Sequence, residues 1–207
     1  MDGAKDENAR IMLGLLESVE RDQAQSQRRL AADLGIALGL VNTYLKRCIN
    51  KGLVKVRQAP ARRYAYYLTP QGFAEKSRLT VNYLTASLSF FRQAKTECIE
   101  IFETARRRGY SRVVLAGRSG LAEIAIICAI DCGMEIIAVV DSGSKATHFV
   151  GVPLAKSFDT VKQPFDAVVV TDLENALANW GAAKAHIGSD RIFVPPLLRI
   201  STNQQDI

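Results

Sequence analysis

Residues 26–49, SQRRLAADLGIALGLVNTYLKRCI, decide how the first part of this chain folds. Ser26 is a good helix cap, and Leu30, Ala31 and Leu34 follow at the spacing of one buried helical face. Gly35 then stops the helix, as a residue free to take positive φ does. Past the four-residue turn Gly35-Ile36-Ala37-Leu38, a second helix buries Val41, Leu45, Cys48 and Ile49 and ends at Asn50-Lys51-Gly52. Two short helices across such a turn make a helix-turn-helix. Ala31, Leu34, Ile36, Val41 and Leu45 form the inner face that sets the crossing angle. Leu38, Gly39, Asn42, Thr43 and Lys46, with Arg47 at the flank, lie outside, where a recognition helix meets the major groove.

The flanks complete the unit. Upstream, Ile11, Leu13, Leu15, Leu16 and Val19 give a first helix its apolar face. Downstream, Leu53–Arg57 and Arg63–Leu68 alternate apolar and polar residues around Gln58-Ala59-Pro60-Ala61, which reads as a β-hairpin. Thr69-Pro70 then opens another helix, with threonine as cap and proline at the first helical position. Asn42 suits paired contacts to an adenine edge. Arg28, Arg29 and Lys46 suit the phosphate backbone, Gln27 joins them in the candidate DNA-binding set, and Arg57, Arg62 and Arg63 place charge near the hairpin tip. Residues 26–66 carry nine Lys/Arg against one acidic residue. Residues 1–108 carry a net +8 and residues 109–207 a net −2, so the positive charge is concentrated where a nucleic-acid module would hold it. Double-stranded DNA is the expected partner.

The segment from Ser26 to about Leu79 resembles the MarR-type winged-helix regulators, in particular the subset associated with exopolysaccharide operons. Ser26-Gln27-Arg28-Arg29-Leu30-Ala31, Leu34-Gly35-Ile36, Gly39-Leu40-Val41-Asn42, Asn50-Lys51-Gly52-Leu53-Val54-Lys55 and Tyr67-Leu68-Thr69-Pro70-Gln71-Gly72 carry the likeness. The family usually has serine where this chain has Ala37. The resemblance implies a transcription regulator of polysaccharide or related metabolic genes.

Beyond the hairpin, residues 71–108 read as one long helix. Val81, Leu84, Leu88, Phe91, Lys95, Cys98, Phe102 and Ala105 alternate spacings of three and four, a heptad-type seam interrupted once by Lys95. Such a seam covers the chain's own core or a partner helix. A homodimer is expected.

From residue 109 the pattern changes. Arg112–Gly117 is a buried strand running into glycine, and a helix follows over Ser119–Cys132. Glu135–Val140 ends on Asp141, Asp166–Asp172 precedes a helix over residues 173–187, and Arg191–Val194 is a fourth strand. Continuous β-branched runs separated by helices indicate a parallel sheet covered on both faces. Gly117-Arg118-Ser119-Gly120-Leu121-Ala122 occupies the strand-to-helix turn at which a dinucleotide fold carries its glycine-rich phosphate loop, with Ser119 replacing the middle glycine. The helix N-terminus offers free N–H groups to an anion, and Asp141-Ser142 lies where a carboxylate meets ribose hydroxyls. The alternative is that the glycines only make the turn and Asp141 caps a loop. This half resembles the NAD(H)-sensing Rex repressors, through Val139-Val140-Asp141 and Gly151-Val152-Pro153-Leu154. It also resembles the nucleotide-sugar-binding domain of bacterial surface-polysaccharide enzymes, through Gly117-Arg118-Ser119-Gly120-Leu121-Ala122-Glu123 and the same Gly-Val-Pro. The expected small-molecule effector is a nucleotide sugar, another phosphorylated metabolite or NAD.

The expected architecture is therefore a two-domain α/β chain. It has a winged helix-turn-helix over 1–79, a linker and dimerisation helix over 80–108 and a Rossmann-like effector domain over 109–207. No apolar run approaches the roughly 20 residues of a membrane helix. The polar start, Met1-Asp2-Gly3-Ala4-Lys5-Asp6-Glu7, is unlike a secretory signal. Cys48, Cys98, Cys128 and Cys132 lack paired metal spacing and read as reduced core thiols, so a cytoplasmic location is expected. No catalytic set is legible: His148 and His186 are isolated, and Arg118-Ser119-Gly120 is not a nucleophile elbow. An enzyme, such as a Rossmann-like oxidoreductase or sugar-nucleotide enzyme with a fused winged helix, is the alternative of another class.

Overall fold

The structure, a computed structural model, describes residues 3–59 and 63–200. The chain forms two compact units, one up to Leu88 and one from Ser89 onward.

The first unit runs α1 (Gly3–Arg21), α2 (Gln27–Leu34), α3 (Leu38–Asn50), β1 (Val54–Ala59), β2 (Arg63–Leu68) and the start of α4 (Pro70–Arg107). Its helix ends follow from local chemistry. The Ser26 hydroxyl accepts from the Arg29 N–H at 3.2 Å. Gly35 takes φ 63°, so its N–H and that of Ile36 reach the carbonyls of Ala32 and Ala31 at 3.2 and 3.1 Å. At α4 the Thr69 hydroxyl accepts from Gly72 N–H at 3.0 Å and donates to the Gly52 carbonyl at 2.6 Å. Gly72 is sterically required: a Cβ there would lie 2.1 Å from the Leu53 carbonyl oxygen. Leu15, Leu16 and Val19 of α1 pack with Leu30, Val41, Leu45 and Cys48, and Val54, Tyr66 and Leu79 close the core. Truncating a leucine here to alanine costs about 2–5 kcal/mol. The hairpin pairs Val54 with Leu68 through to Ala59 with Arg63. It begins one residue later than the alternation suggests, because Leu53 turns into the core with its N–H on the Cys48 carbonyl.

The second unit contains β3 (Arg112–Ala116), α5 (Gly120–Cys132), β4 (Glu135–Val140), β5 (His148–Phe149), β6 (Val152–Ala155), β7 (Ala167–Val170), α6 (Ala176–Ile187) and β8 (Ile192–Phe193). The sheet order is β5-β6-β4-β3-β7-β8. All neighbours pair in parallel except β5, which runs antiparallel to β6 at the edge. Alternation along the strands divides the core in two. Val113, Leu115, Val139 and Val169 pack under α5 and the second half of α4, while Val114, Ala116, Val140 and Val168 pack under Ala183 of α6 and Phe158.

Two expectations need correction. The strands do not all alternate with helices: the chain passes from β4 to β6 through the short strand β5, and from β6 to β7 through one 3₁₀ turn at Phe158–Thr160. Both stretches are too short and polar to show a period in the sequence. The long helix exists, but its heptad row does not face one partner. Cys98, Phe102 and Ala105 are fully buried in the second unit's own core, whereas Val81, Leu84, Leu88 and Phe91 are exposed. A strand layer lies close enough to cover the first group, and spacing along a helix carries no information about that.

Candidate nucleic-acid interface and ligand turn

On α3, Leu38, Asn42 and Lys46 form one row at i, i+4, i+8, and Gly39, Thr43 and Arg47 form the next. The opposite face, with Val41, Tyr44, Leu45 and Cys48, is buried. Gly39 sits in open space, so no protein contact demands glycine there. The Thr43 hydroxyl donates back to the Gly39 carbonyl at 3.0 Å and is engaged with its own helix. Ala37 occupies the N-cap of α3, which therefore has no side-chain capping bond. An amide donor at the front of the recognition helix is left without a side-chain partner.

A groove between α3 and the hairpin brings Gln27, Asn42 and Lys46 together with Val56, Tyr64 and Tyr66. The Gln27 amide donates to the Tyr66 hydroxyl at 2.8 Å, tying the start of α2 to the hairpin. A second depression, of about 630 Å³, joins Gln27, Arg28, Arg29 and Leu38 to Tyr64 and Tyr66. Arg29 is exposed, with only a loose 3.9 Å pairing to Asp22. Tyr64 lines both hollows and is 55% exposed, yet sequence reasoning passes over it. The signal was available: in a strand, residues 64, 66 and 68 share a face. Arg57 points the other way, over the Tyr67 ring at 5.8 Å on the hairpin's second face. Arg62 lies outside the described residues, and of Arg63 only the backbone at the start of β2 is described.

Residues 9–55 match a family model described as winged helix-turn-helix DNA-binding. The first unit carries a winged helix-turn-helix DNA-binding domain. The match ends inside β1, and no curated protein matches the chain. Solved structures similar to it include the PcaV transcriptional regulator from Streptomyces coelicolor in complex with its natural ligand. That chain is 22% identical over 47% of this chain and 72% of its own, with a TM-score of 0.37. A second PcaV structure gives 22% identity, 48% and 75% coverage and a TM-score of 0.39. Human N-acetylserotonin methyltransferase in complex with SAM is 11% identical over 81% of this chain and 68% of its own, with a TM-score of 0.29. Scores this low carry no argument about function. The winged helix is where the chemistry of an interface is assembled: Lys46, Asn42 and Tyr64 share one groove, and Arg28 and Arg29 line the second depression, which Tyr64 also borders.

In the second unit, the Gly117 turn ends β3 and opens α5. Gly117 has φ 106°, and a Cβ there would lie 2.3 Å from Asp172 Cβ. This glycine is thus required by the close approach of the chain beyond β7, whatever binds nearby. Ser119 caps α5, accepting from the Leu121 N–H at 3.0 Å, and its hydroxyl donates to the Thr171 carbonyl. The Leu121 side chain is buried in the core, and its amide is taken. Gly120 has open space around its Cβ direction. Arg118 and Asp141 meet: Arg118 Nε donates to Asp141 Oδ2 at 3.0 Å while its guanidinium lies 5.9 Å over Phe149. Asp141 Oδ1 accepts from the Gly143 N–H at 3.0 Å, so this carboxylate does cap its loop. Lys156, not singled out from sequence, donates to the carbonyls of Ser142 and Ser144. The structure therefore gathers the proposed ligand residues at the carboxyl ends of β3 and β4 and gives most of them a partner within the protein.

The thiols are buried or half-buried. Burial pushes Cys48 up to about 11 and Cys98 to about 12, so neither forms a thiolate near neutrality. No described helix is long and apolar enough to cross a membrane.

Proposed function

We propose that this chain is a transcription regulator that binds double-stranded DNA as a homodimer and responds to a phosphorylated small molecule, acting by binding and not by catalysis. The observation that carries the DNA-binding part is the groove joining Gln27, Asn42, Lys46 and Tyr64, on a unit that holds the chain's positive charge and matches a winged-helix family. In this reading Asn42 reads a base edge, while Lys46, Arg28 and Arg29 hold phosphates and set the register. The likeness to exopolysaccharide-associated regulators extends the proposal to polysaccharide genes. For the effector, a nucleotide sugar best suits the reading. The open space at Gly120, the N-terminal end of α5 and the Arg118–Asp141 pair are what support it.

Binding of fluorescent duplexes by the full chain tests the first part. Lys46→Ala is expected to weaken binding to every duplex and lower the salt slope by about one. Asn42→Ala is expected to change the preferred sequence, with a cost of about 1–3 kcal/mol confined to the best site. No binding of any duplex at low salt would sink the proposal. The second part is tested by thermal stabilisation with UDP-glucose, NADH and inorganic phosphate, each with and without Gly120→Val. A shift that survives the substitution would place the ligand elsewhere.

A further inference from the structure

The face of the hairpin that meets α3 does not end with the core. Val54 and Tyr66 are buried there, 2 and 4% exposed, but Val56 and, nearer the tip, Tyr64 are 42 and 55% exposed. The Tyr44 hydroxyl is bonded to Asn8 and the Tyr66 hydroxyl accepts from the Gln27 amide. The Tyr64 hydroxyl has no hydrogen bond among the described residues. Its ring borders both hollows of this unit, the one holding Asn42 and Lys46 and the one holding Arg28 and Arg29. An aromatic ring left in water between two basic hollows, with its donor unengaged, suits a partner that is anionic and partly apolar. One acidic side chain, Asp22, also lines the Arg28–Arg29 depression. Its Oδ1 accepts from the Ala24 N–H at 3.1 Å, and its Oδ2 lies 3.9 Å from Arg29.

We propose that this depression takes one sugar–phosphate strand of a DNA duplex, with Tyr64 as an uncharged anchor and Asp22 as a brake. The Tyr64 hydroxyl donates to a phosphate while its ring lies against deoxyribose, and Asp22 weakens the grip by competing for Arg29. This deepens the DNA-binding reading above and rests on it. Charge selects a nucleic acid as the occupant, since residues 26–66 carry nine Lys/Arg against one acidic residue. Dimensions select the backbone over a base edge. An α-helix with its side chains is roughly 10–12 Å across, and the major groove is roughly 12 Å wide. With α3 filling the groove, a hairpin strand beside it meets the wall of the groove, which is sugar and phosphate. A tyrosine at that wall holds the duplex in a way that differs from its neighbours. Unlike Lys46 it releases no counterion, and unlike Asn42 it touches no base edge.

The test uses the full chain and a duplex that the wild-type protein selects from a random-sequence pool. Tyr64→Phe is expected to weaken binding about tenfold and Tyr64→Ala further, with the salt slope and the order of preferred sequences unchanged. Both variants are expected to keep the wild-type far-UV circular dichroism spectrum, since Tyr64 is exposed. Replacing the phosphates of the duplex one at a time by neutral methylphosphonate is expected to find a linkage whose neutralisation costs wild type clearly more than it costs Tyr64→Phe. Asp22→Asn keeps the acceptor for Ala24 and is expected to tighten binding of every duplex about two- to fivefold while steepening the salt dependence. Tyr64→Phe binding as tightly as wild type, or the absence of such a linkage, overturns the phosphate contact. A changed sequence preference in Tyr64→Ala overturns the backbone assignment in favour of a base contact. Unchanged or weaker binding by Asp22→Asn overturns the brake. A wild-type protein that binds no duplex fails earlier, at the DNA-binding reading itself.

Discussion

Gly117 and Gly120 stand three residues apart in one turn, and the structure assigns them opposite sensitivities. Replacing Gly117 by alanine sets a methyl carbon 2.3 Å from Asp172 Cβ and 2.8 Å from both Asp172 Cα and N. Two of those three atoms are backbone, so no rotamer change relieves the clash. The residue also has φ 106°, outside the range that side chains tolerate. Strain of about 1–3 kcal/mol from the dihedral and a similar overpacking term together predict a loss of about 3–5 kcal/mol. Gly120→Ala meets nothing within 4 Å and removes a glycine from the first turn of α5. It is expected to be neutral or to stabilise by about 0.5–1 kcal/mol. The only tryptophan, Trp180, lies in α6, so its fluorescence follows the second unit alone through a urea titration. A Gly117→Ala protein that unfolds at the wild-type midpoint would refute the steric reasoning. So would a Gly120→Ala loss equal to that of Gly117→Ala.

The remaining predictions concern the same unit. Val150, 53% exposed, holds φ 49° in the two-residue turn before β6, a conformation costly for a β-branched side chain; Val150→Asn should raise stability by about 1 kcal/mol, and a lower urea midpoint would contradict this. Asp166 accepts from the backbone N–H groups of Ser111 and Arg112 at 2.9 and 2.8 Å, with Arg112 nearby, and these bonds hold its carboxyl below the usual range. Because its folded value is depressed, the stabilisation is in force above the unfolded carboxylate value and is lost as pH falls through the folded one. Asp166→Asn should therefore destabilise at pH 7, with a gap from wild type that narrows below about pH 4; a gap constant over that range would contradict it.

Much of the first unit was legible because its signals are local. Ser26, Gly35 and Thr69 act within one turn of themselves, and Val41, Leu45 and Cys48 declare their buried face by period alone. The strands β3, β4 and β7 were legible for a related reason: only a strand covered on both faces carries an unbroken run such as Val168-Val169-Val170. The ligand turn was legible as a turn. That Gly117 answers to Asp172, 55 residues on, was not.

By itself, then, the sequence determined the helices and the longer strands to within a few residues, though not β5 or β6, and that a basic helix-turn-helix lies in the first part of the chain. Tertiary structure alone decided that Tyr64 joins Asn42 and Lys46 in one groove, and that Arg118 spends its charge on Asp141. It also decided that one heptad row divides into a buried half at Cys98, Phe102 and Ala105 and an exposed half from Val81 to Phe91. The physical reason is the range of the interactions. Caps, propensities and periodicity act over a few residues, whereas burial and pairing depend on which distant part of the chain arrives on the other side.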